Sequence, residues 1–379
     1  MKALILSVSA GGGHTGAAEA VKKYILLNEP ESEIKVIDTL KYINPIIDKV
    51  VIGSYLKSLK VTPSLFGKLY DYSENDYGIA TLSNKINEAM TYKLLPLIED
   101  FSPEIIFCTH PFPIEMMSIL KGKNKTYIPV IAILTDYASH SFWLHPHIDA
   151  YVVSNSDMIE EMESKGIQRE TIHSLGIPVK PSFYEKFNKT DTLAELDLDP
   201  DVYTILIMGG SLGMGKIAEV YEQLTLVKEQ IQIIIITGNN KKLYSTLTDL
   251  SRTSFPQTRT RIIGFTDKVN KYMQASDLLL TKPGGLTITE ALSCNIPLGL
   301  FSPIPGQEEK NAEFLLKHDL AINLNDVDKC HEIIDKLLQS KDKLEELKRN
   351  CAKYSNPNCG NDIYNLAKTL IKKSIKNPI

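Results

Sequence analysis

Ten short apolar runs punctuate the chain, each followed by a helical pattern. In the first half they are ALILSVS (3–9), EIKVIDTL (33–40), EIIFCTH (104–110), IPVIAILTD (128–136) and DAYVVSN (149–155). In the second half they are YTILIMGGS (203–211), IQIIIITGN (231–239), TRIIGF (260–265), DLLLTKP (277–283) and IPLGLFS (296–302). The runs are apolar rather than alternating, as in strands that helices cover on both faces. Repeated strand–helix alternation predicts doubly wound parallel sheets of the α/β class. The series occurs twice, separated by a polar stretch with three prolines (176–202), which places an interdomain linker near 178–200. The expected domains are 1–180, 181–360 and a closing helix in 361–379 that returns to the first domain. Ligands of such sheets bind at the carboxyl ends of the strands, so a cleft between two facing domains is the expected site.

Composition adds exclusions. The 379 residues are 43% hydrophobic and 23% charged, ordinary for a globular protein of about two domains. Net charge is −4, so no overall basic field points to nucleic acid. Five cysteines, with no C-x-x-C pair, argue against a disulfide framework or zinc site and for a reducing cytosol. The apolar start LILSVSA is too short for a signal peptide, because GGGH follows at once; it reads as a strand. No uninterrupted apolar stretch is long enough to span a membrane.

Three glycine-rich turns carry the candidate chemistry. SAGGGHTGAAEA (9–20) follows the first strand and opens a helix. There unsatisfied N–H groups and a positive dipole end suit an anionic ligand, and bare backbone at Gly12 and Gly13 permits close approach. His14, at the helix start, is favoured in its neutral form and can accept a proton; it can equally cap the turn. GGSLGMGKI (209–217) is the counterpart in the second half, a phosphate-sized cradle that is not a P-loop. TKPGGLTITEAL (281–292) places Gly285 and Thr287 at a helix start and Glu290 one turn on, where a carboxylate can take two hydrogen bonds from a ribose diol. The plain alternative is a T-x-x-E capping box. In PGQEEKNA (305–312), Gln307, Glu308 and Asn311 crowd polar groups onto another helix start, either to read sugar hydroxyls or as a solvated face.

SAGGGHTGAAEA, THPFP, TDYASHSFWLHPHIDAYVVSN, GIPV, GGSLGMGKI, IIGFTD, TKPGGLTITEAL and PGQEEKNA occur in the order seen in the monogalactosyldiacylglycerol synthase family. That family includes bacterial processive diacylglycerol glucosyltransferases and is similar to the enzyme that makes lipid II. The resemblance spans about 3–365 and implies a GT-B fold, with an N-terminal acceptor domain and a C-terminal UDP-sugar domain. It implies that the Gly264–Phe265 backbone meets uracil and that Glu290 binds ribose. Gly209, Gly210, Ser211, Gly285 and Thr287 would surround the diphosphate. Gln307 and Glu308 would read the hexose, with Asn311 in support. His14 matches the family histidine; Gly12, Gly13, His110 and Trp143 lie on the acceptor side. Plant-type members carry a proposed catalytic aspartate where this chain has Ser9, which leaves His14 or Asp136 as the candidate base.

The implied reaction is inverting transfer of glucose or galactose from UDP-glucose or UDP-galactose to 1,2-diacylglycerol. The alternatives are a polyprenyl-linked acceptor or a non-catalytic UDP-sugar sensor. Amide donors at helix starts can stabilise the leaving UDP, so no cofactor is required, and no metal ligand is expected: DLD (197–199) and DVD (326–328) are not at strand ends. The apolar segment 41–70 carries Lys41, Lys49, Lys57, Lys60 and Lys68 against Asp48, a local +4 that suits an anionic membrane. This predicts a cytoplasmic protein peripheral on the inner face of the cell membrane. HSFWLHPH (140–147) holds three histidines and the only tryptophan; a lipid-facing or acceptor-cleft loop with Trp143 as a hydrophobic anchor is expected there rather than a metal site.

Overall fold

The computed structural model describes residues 1–9, 11–44, 90–210, 213, 215–255 and 257–376, with Lys341 described by its backbone. Lys49, Lys57, Lys60, Lys68, Asp48 and Ser211 lie outside the described residues, and with them most of the segment expected at a membrane.

The chain divides into two compact units. The first comprises Met1–Pro181, Pro305–Gln307 and Asn356–Ile379; the second comprises Ser182–Ile304 and Glu308–Ser355. Unit 1 contains β1 (Lys2–Ser7), β2 (Glu33–Asp38), β3 (Ile105–Cys108), β4 (Val130–Ile133), β5 (Ala150–Val153) and β6 (Ile172–Ser174). They pair in the order β2-β1-β3-β4-β5-β6, all parallel. Unit 2 contains β7 (Tyr203–Met208), β8 (Ile231–Ile236), β9 (Thr260–Ile263), β10 (Leu278–Thr281), β11 (Leu298–Leu300) and β12 (Ala321–Asn323). Their order is β12-β11-β10-β7-β8-β9, again all parallel.

The continuous apolar runs have a direct cause. Successive strand side chains point to opposite faces. In β1, Ala3 and Ile5 pack with Val21, Ile25, Ile363 and Ala367, while Leu4 and Leu6 pack with Leu94, Ile98, Ile114 and Met117. Both faces are buried, so every position is apolar. The same logic fills β7, β8 and β10.

Each sheet has one place where the strand order reverses. The chain leaves β1 for β2 on one side, then returns to β3 on the other. In unit 2 it leaves β7 for β8 and β9, then returns to β10. At such a point, neighbouring loops diverge above and below the sheet and leave a crevice at the carboxyl ends. The turns after β1 and β3, and those after β7 and β10, therefore sit at the two crevices.

The boundary between the units, Pro181/Ser182, falls inside the expected linker 178–200, but the residues after it are packed. Leu193 and Leu198 are buried, Lys189 pairs with Asp277 at 2.7 Å, and Arg261 pairs with Asp197 at 2.6 Å. These contacts fasten residues after 181 onto unit 2.

The helix Cys359–Lys376 lies against the helix Gly13–Asn28 in unit 1. Gly360 makes the close approach possible: a Cβ there would stand 2.1 Å from the Tyr24 ring. Gly360→Ala should cost about 1–3 kcal/mol by overpacking and lower the midpoint of thermal unfolding by several degrees. An unchanged midpoint would mean that Tyr24 can swing clear.

Candidate active site

The acceptor-side candidates gather at the β1/β3 crevice of unit 1. After β1 the chain turns through Gly11, at φ +84°, and the helix Gly13–Asn28 begins. Gly12 is its N-cap residue, and no side chain caps the helix among the described residues. His14 is thus the second helical residue. Its Nδ1 lies 2.8 Å from the Thr109 carbonyl oxygen and 2.9 Å from the Thr135 hydroxyl. A carbonyl can only accept, so Nδ1 carries the proton and Nε2 is left as the basic nitrogen. Desolvation lowers the imidazole pKa to about 4, with the Thr109 hydrogen bond opposing in part. His14 is therefore neutral at physiological pH.

His110 packs edge-on against His14, with ring centroids 4.6 Å apart. It caps the helix Pro111–Gly122: its Nδ1 accepts from the Phe112 N–H at 3.1 Å. His110 in neutral form therefore carries its proton on Nε2, the tautomer opposite to that of His14. Burial lowers its pKa well below the usual histidine range, and the neighbouring His14 adds to that.

Of the two expectations for Trp143, lipid-facing or in the acceptor cleft, the first fails. It is not a lipid-facing anchor: it is 3% exposed, lies within the core and places its ring 6.0 Å from His14. An indole has too much apolar surface to leave the core when a short turn can carry it inward; its neighbour Phe142 takes the exposed position instead. The histidines around it serve local backbone. His140 accepts from Phe142 N–H, and His145 Nε2 lies 3.1 Å from the Phe142 carbonyl.

Ser9 is held by a residue that the sequence reading missed. Its hydroxyl donates to the Asp38 carboxylate, and its backbone N–H lies 3.2 Å from Asp38 Oδ2. Lys41 pairs with Asp38 at 3.1 Å and reaches Ser9 Oγ at 3.3 Å. Burial would raise the Asp38 pKa, but the hydrogen bonds from Ser9 and Lys41 outweigh it and lower it overall. A carboxylate therefore stands at this strand edge although position 9 is serine. The signal was available: β1 and β2 are consecutive strands, so the acid ending EIKVID falls beside the end of β1. Asp136, the other candidate base, is 5% exposed in the loop after β4.

The donor-side candidates of unit 2 follow the carboxyl ends of β7, β9, β10 and β11, while Gln307 groups with unit 1. Gly209 and Gly210 follow β7 directly, Gly210 at φ +69°. Gly264 and Phe265 follow β9, and the Phe265 ring is 68% exposed. The helix Gly285–Ser293 starts one residue after its Gly284 N-cap, and no described side chain caps it. Thr287 is its third residue, so the T-x-x-E capping box is not formed. Thr287 and Glu290 instead share one helical face, one turn apart. Glu308 and Asn311 belong to the helix Gln307–Lys317, of which Gln307 is the first residue. Asn311 is fully buried and its amide donates to the Pro283 carbonyl at 3.0 Å, fastening this helix to the 282–285 turn from below. Lys282, absent from the sequence-based candidates, pairs with Glu308 at 2.9 Å.

The comparisons match this division. Residues 14–179 match the monogalactosyldiacylglycerol (MGDG) synthase family, and residues 204–369 match the glycosyltransferase family 28 C-terminal domain. The chain is 30% identical over 357 residues to the processive diacylglycerol beta-glucosyltransferase of Bacillus licheniformis, covering 92% of this chain and 89% of that protein. Among solved structures, MurG of Acinetobacter baumannii has a TM-score of 0.63 at 14% identity, covering 97% of this chain and 99% of that one. Anabaena HepE in complex with UDP-glucose has a TM-score of 0.59 at 13% identity, covering 97% and 100%. These two likenesses show the GT-B type of fold. With both halves matched by their family models and a relative at this identity along nearly the whole length, the chain belongs to the family of MGDG synthases and processive diacylglycerol beta-glucosyltransferases.

Proposed function

We propose that this glycosyltransferase moves a hexose from a UDP-sugar to the hydroxyl of 1,2-diacylglycerol by a single inverting displacement. The names of the relatives favour glucose as the hexose. One observation carries the catalytic reading: His14 is neutral, with Nδ1–H committed to the Thr109 carbonyl and Nε2 left to accept. As the lipid oxygen attacks the anomeric carbon, Nε2 takes its proton. The Thr109 carbonyl then faces the Nδ1–H of a cation and stabilises it. The bond from the anomeric carbon to UDP breaks, and its electron pair leaves with the diphosphate. The uncapped N–H groups at the start of Gly285–Ser293 and the turn after β7 suit that charge. Glu290 would hold the ribose and the Gly264–Phe265 backbone the uracil. Glu308 and Gln307 would read the hexose.

A diacylglycerol acceptor resides in a bilayer, so the reaction belongs at a membrane surface, and the lysine-rich sequence 41–70 fits an anionic one. Among the described residues, no helix is long and apolar enough to cross a membrane.

The test is direct. Purified protein, vesicles of anionic phospholipid and diacylglycerol, and UDP-glucose should yield UDP and a β-linked glucosyl lipid. UDP-galactose in place of UDP-glucose should give a lower rate. An α-linked product would overturn the inverting displacement, and tight UDP binding with no turnover on diacylglycerol would overturn the reaction.

A further inference from the structure

Lys282 and Glu308 form an ion pair in which both side chains are nearly buried, 11% and 12% exposed. Each comes from a different element of unit 2. Lys282 follows β10, and Glu308 is the second residue of the helix Gln307–Lys317. Burying two charges costs desolvation that their attraction barely offsets, so such a pair is weak evidence of stability by itself. Its surroundings indicate what it holds.

The lysine stem lies against the turn after β7. A Cβ at Gly215, which has φ +101°, would stand 3.4 and 3.5 Å from Cδ and Cγ of Lys282, and 3.2 Å from the Phe301 ring. The bare Gly215 backbone leaves the room that the Lys282 stem and the Phe301 ring occupy, and a side chain there would press on both. The Glu308 carboxylate is fixed at both oxygens. Oε1 takes the ammonium at 2.9 Å, and Oε2 takes the Ile304 N–H at 2.7 Å. Oε1 also faces Gly284, where a Cβ would touch it at 3.8 Å. The carboxylate is thus held over the glycine that opens the helix Gly285–Ser293. A carboxylate has about four acceptor positions, so two such bonds leave room for hydroxyl donors.

We propose that Lys282 is a positioning residue of donor recognition, its ammonium holding the Glu308 carboxylate in the orientation that meets hexose hydroxyls of a UDP-hexose. This rests on the donor assignment made above. The lysine acts through Glu308 on the sugar end and leaves the nucleotide end untouched. A lysine that simply bound diphosphate would affect UDP and UDP-glucose alike.

Calorimetric titration of the full chain with UDP-glucose and with UDP separates these cases. Lys282→Met should weaken UDP-glucose at least fivefold and UDP less than twofold. Lys282→Arg should recover most of that loss, since it restores a cation at the same place. Lys282→Met/Glu308→Gln should bind UDP-glucose no more weakly than Glu308→Gln alone. The double variant removes both charges, so it stays informative should Lys282→Met alone fail to fold. Equal losses for UDP and UDP-glucose, no loss for either, or an additive loss in the double variant would each overturn the proposal. Wild-type protein that bound neither UDP nor UDP-glucose would instead remove the donor assignment, and the proposal with it.

Discussion

Alanine at position 14 should lower kcat for glycolipid formation by roughly 10²–10⁴-fold, the usual contribution of a general base, while UDP binding stays within twofold of wild type. The informative companion is His14→Asn. Asparagine can still donate to the Thr109 carbonyl from its amide nitrogen but has no counterpart of Nε2. If His14 is the base, asparagine is as impaired as alanine. If His14 only ties the helix start to β3, asparagine restores turnover and the assignment fails. The pH profile adds a second reading. Protonation of Nε2 removes the base, so activity is lost as pH falls through the histidine pKa. With that value lowered to about 4 by burial, the activity plateau should extend below pH 6, and its acid limb should lie well under 6.5. An acid limb at 6.5 would mean that the working histidine is solvated, which His14 is not.

Glu290→Ala should weaken UDP by roughly 10²–10⁴-fold, because two hydrogen bonds to a charged group are each worth about 1.5–3 kcal/mol. The decisive control is the nucleotide lacking the ribose 2′-hydroxyl. Wild type should bind 2′-deoxy-UDP about tenfold more weakly than UDP, and Glu290→Ala should bind the two alike. If the variant keeps the wild-type preference, Glu290 does not hold the ribose and the donor assignment must move along the helix.

Much of this was legible in the chain. Most of the ten strands announced themselves because burial on both faces makes an unbroken apolar run, while the half-buried outer strands β2 and β9 showed shorter ones, and the repeated series gave the α/β class. β6 and β12 did not announce themselves. Each has three residues, Ile172–Ser174 and Ala321–Asn323, with one buried residue apiece, so neither carries a run. The site was legible where glycines mark the turns. It was not legible where partners come from another element. Asp38 reaches Ser9 from the next strand, and Lys282, after β10, meets Glu308 from the helix that follows the neighbouring β11. The lipid-facing alternative for Trp143 failed because a lone tryptophan among histidines looks like a surface feature until neighbouring helices and strands are seen to cover it. The prolines at 178–200 marked the boundary between the units correctly, but not that the residues after it pack onto unit 2.

The contact between Gly360 and Tyr24 has a consequence for how the protein is made. One face of the first sheet is completed by a helix synthesised roughly 200 residues after β5. At about 5–20 residues per second, that face waits some 10–40 seconds for its cover. During that time Ala3, Ile5, Ile131 and Val152 lack the apolar partners Ile363 and Ala367. The second sheet has its whole sequence available before the first can finish. The strands of the second sheet, the last of which ends at Asn323, are therefore all made before the first sheet receives its cover.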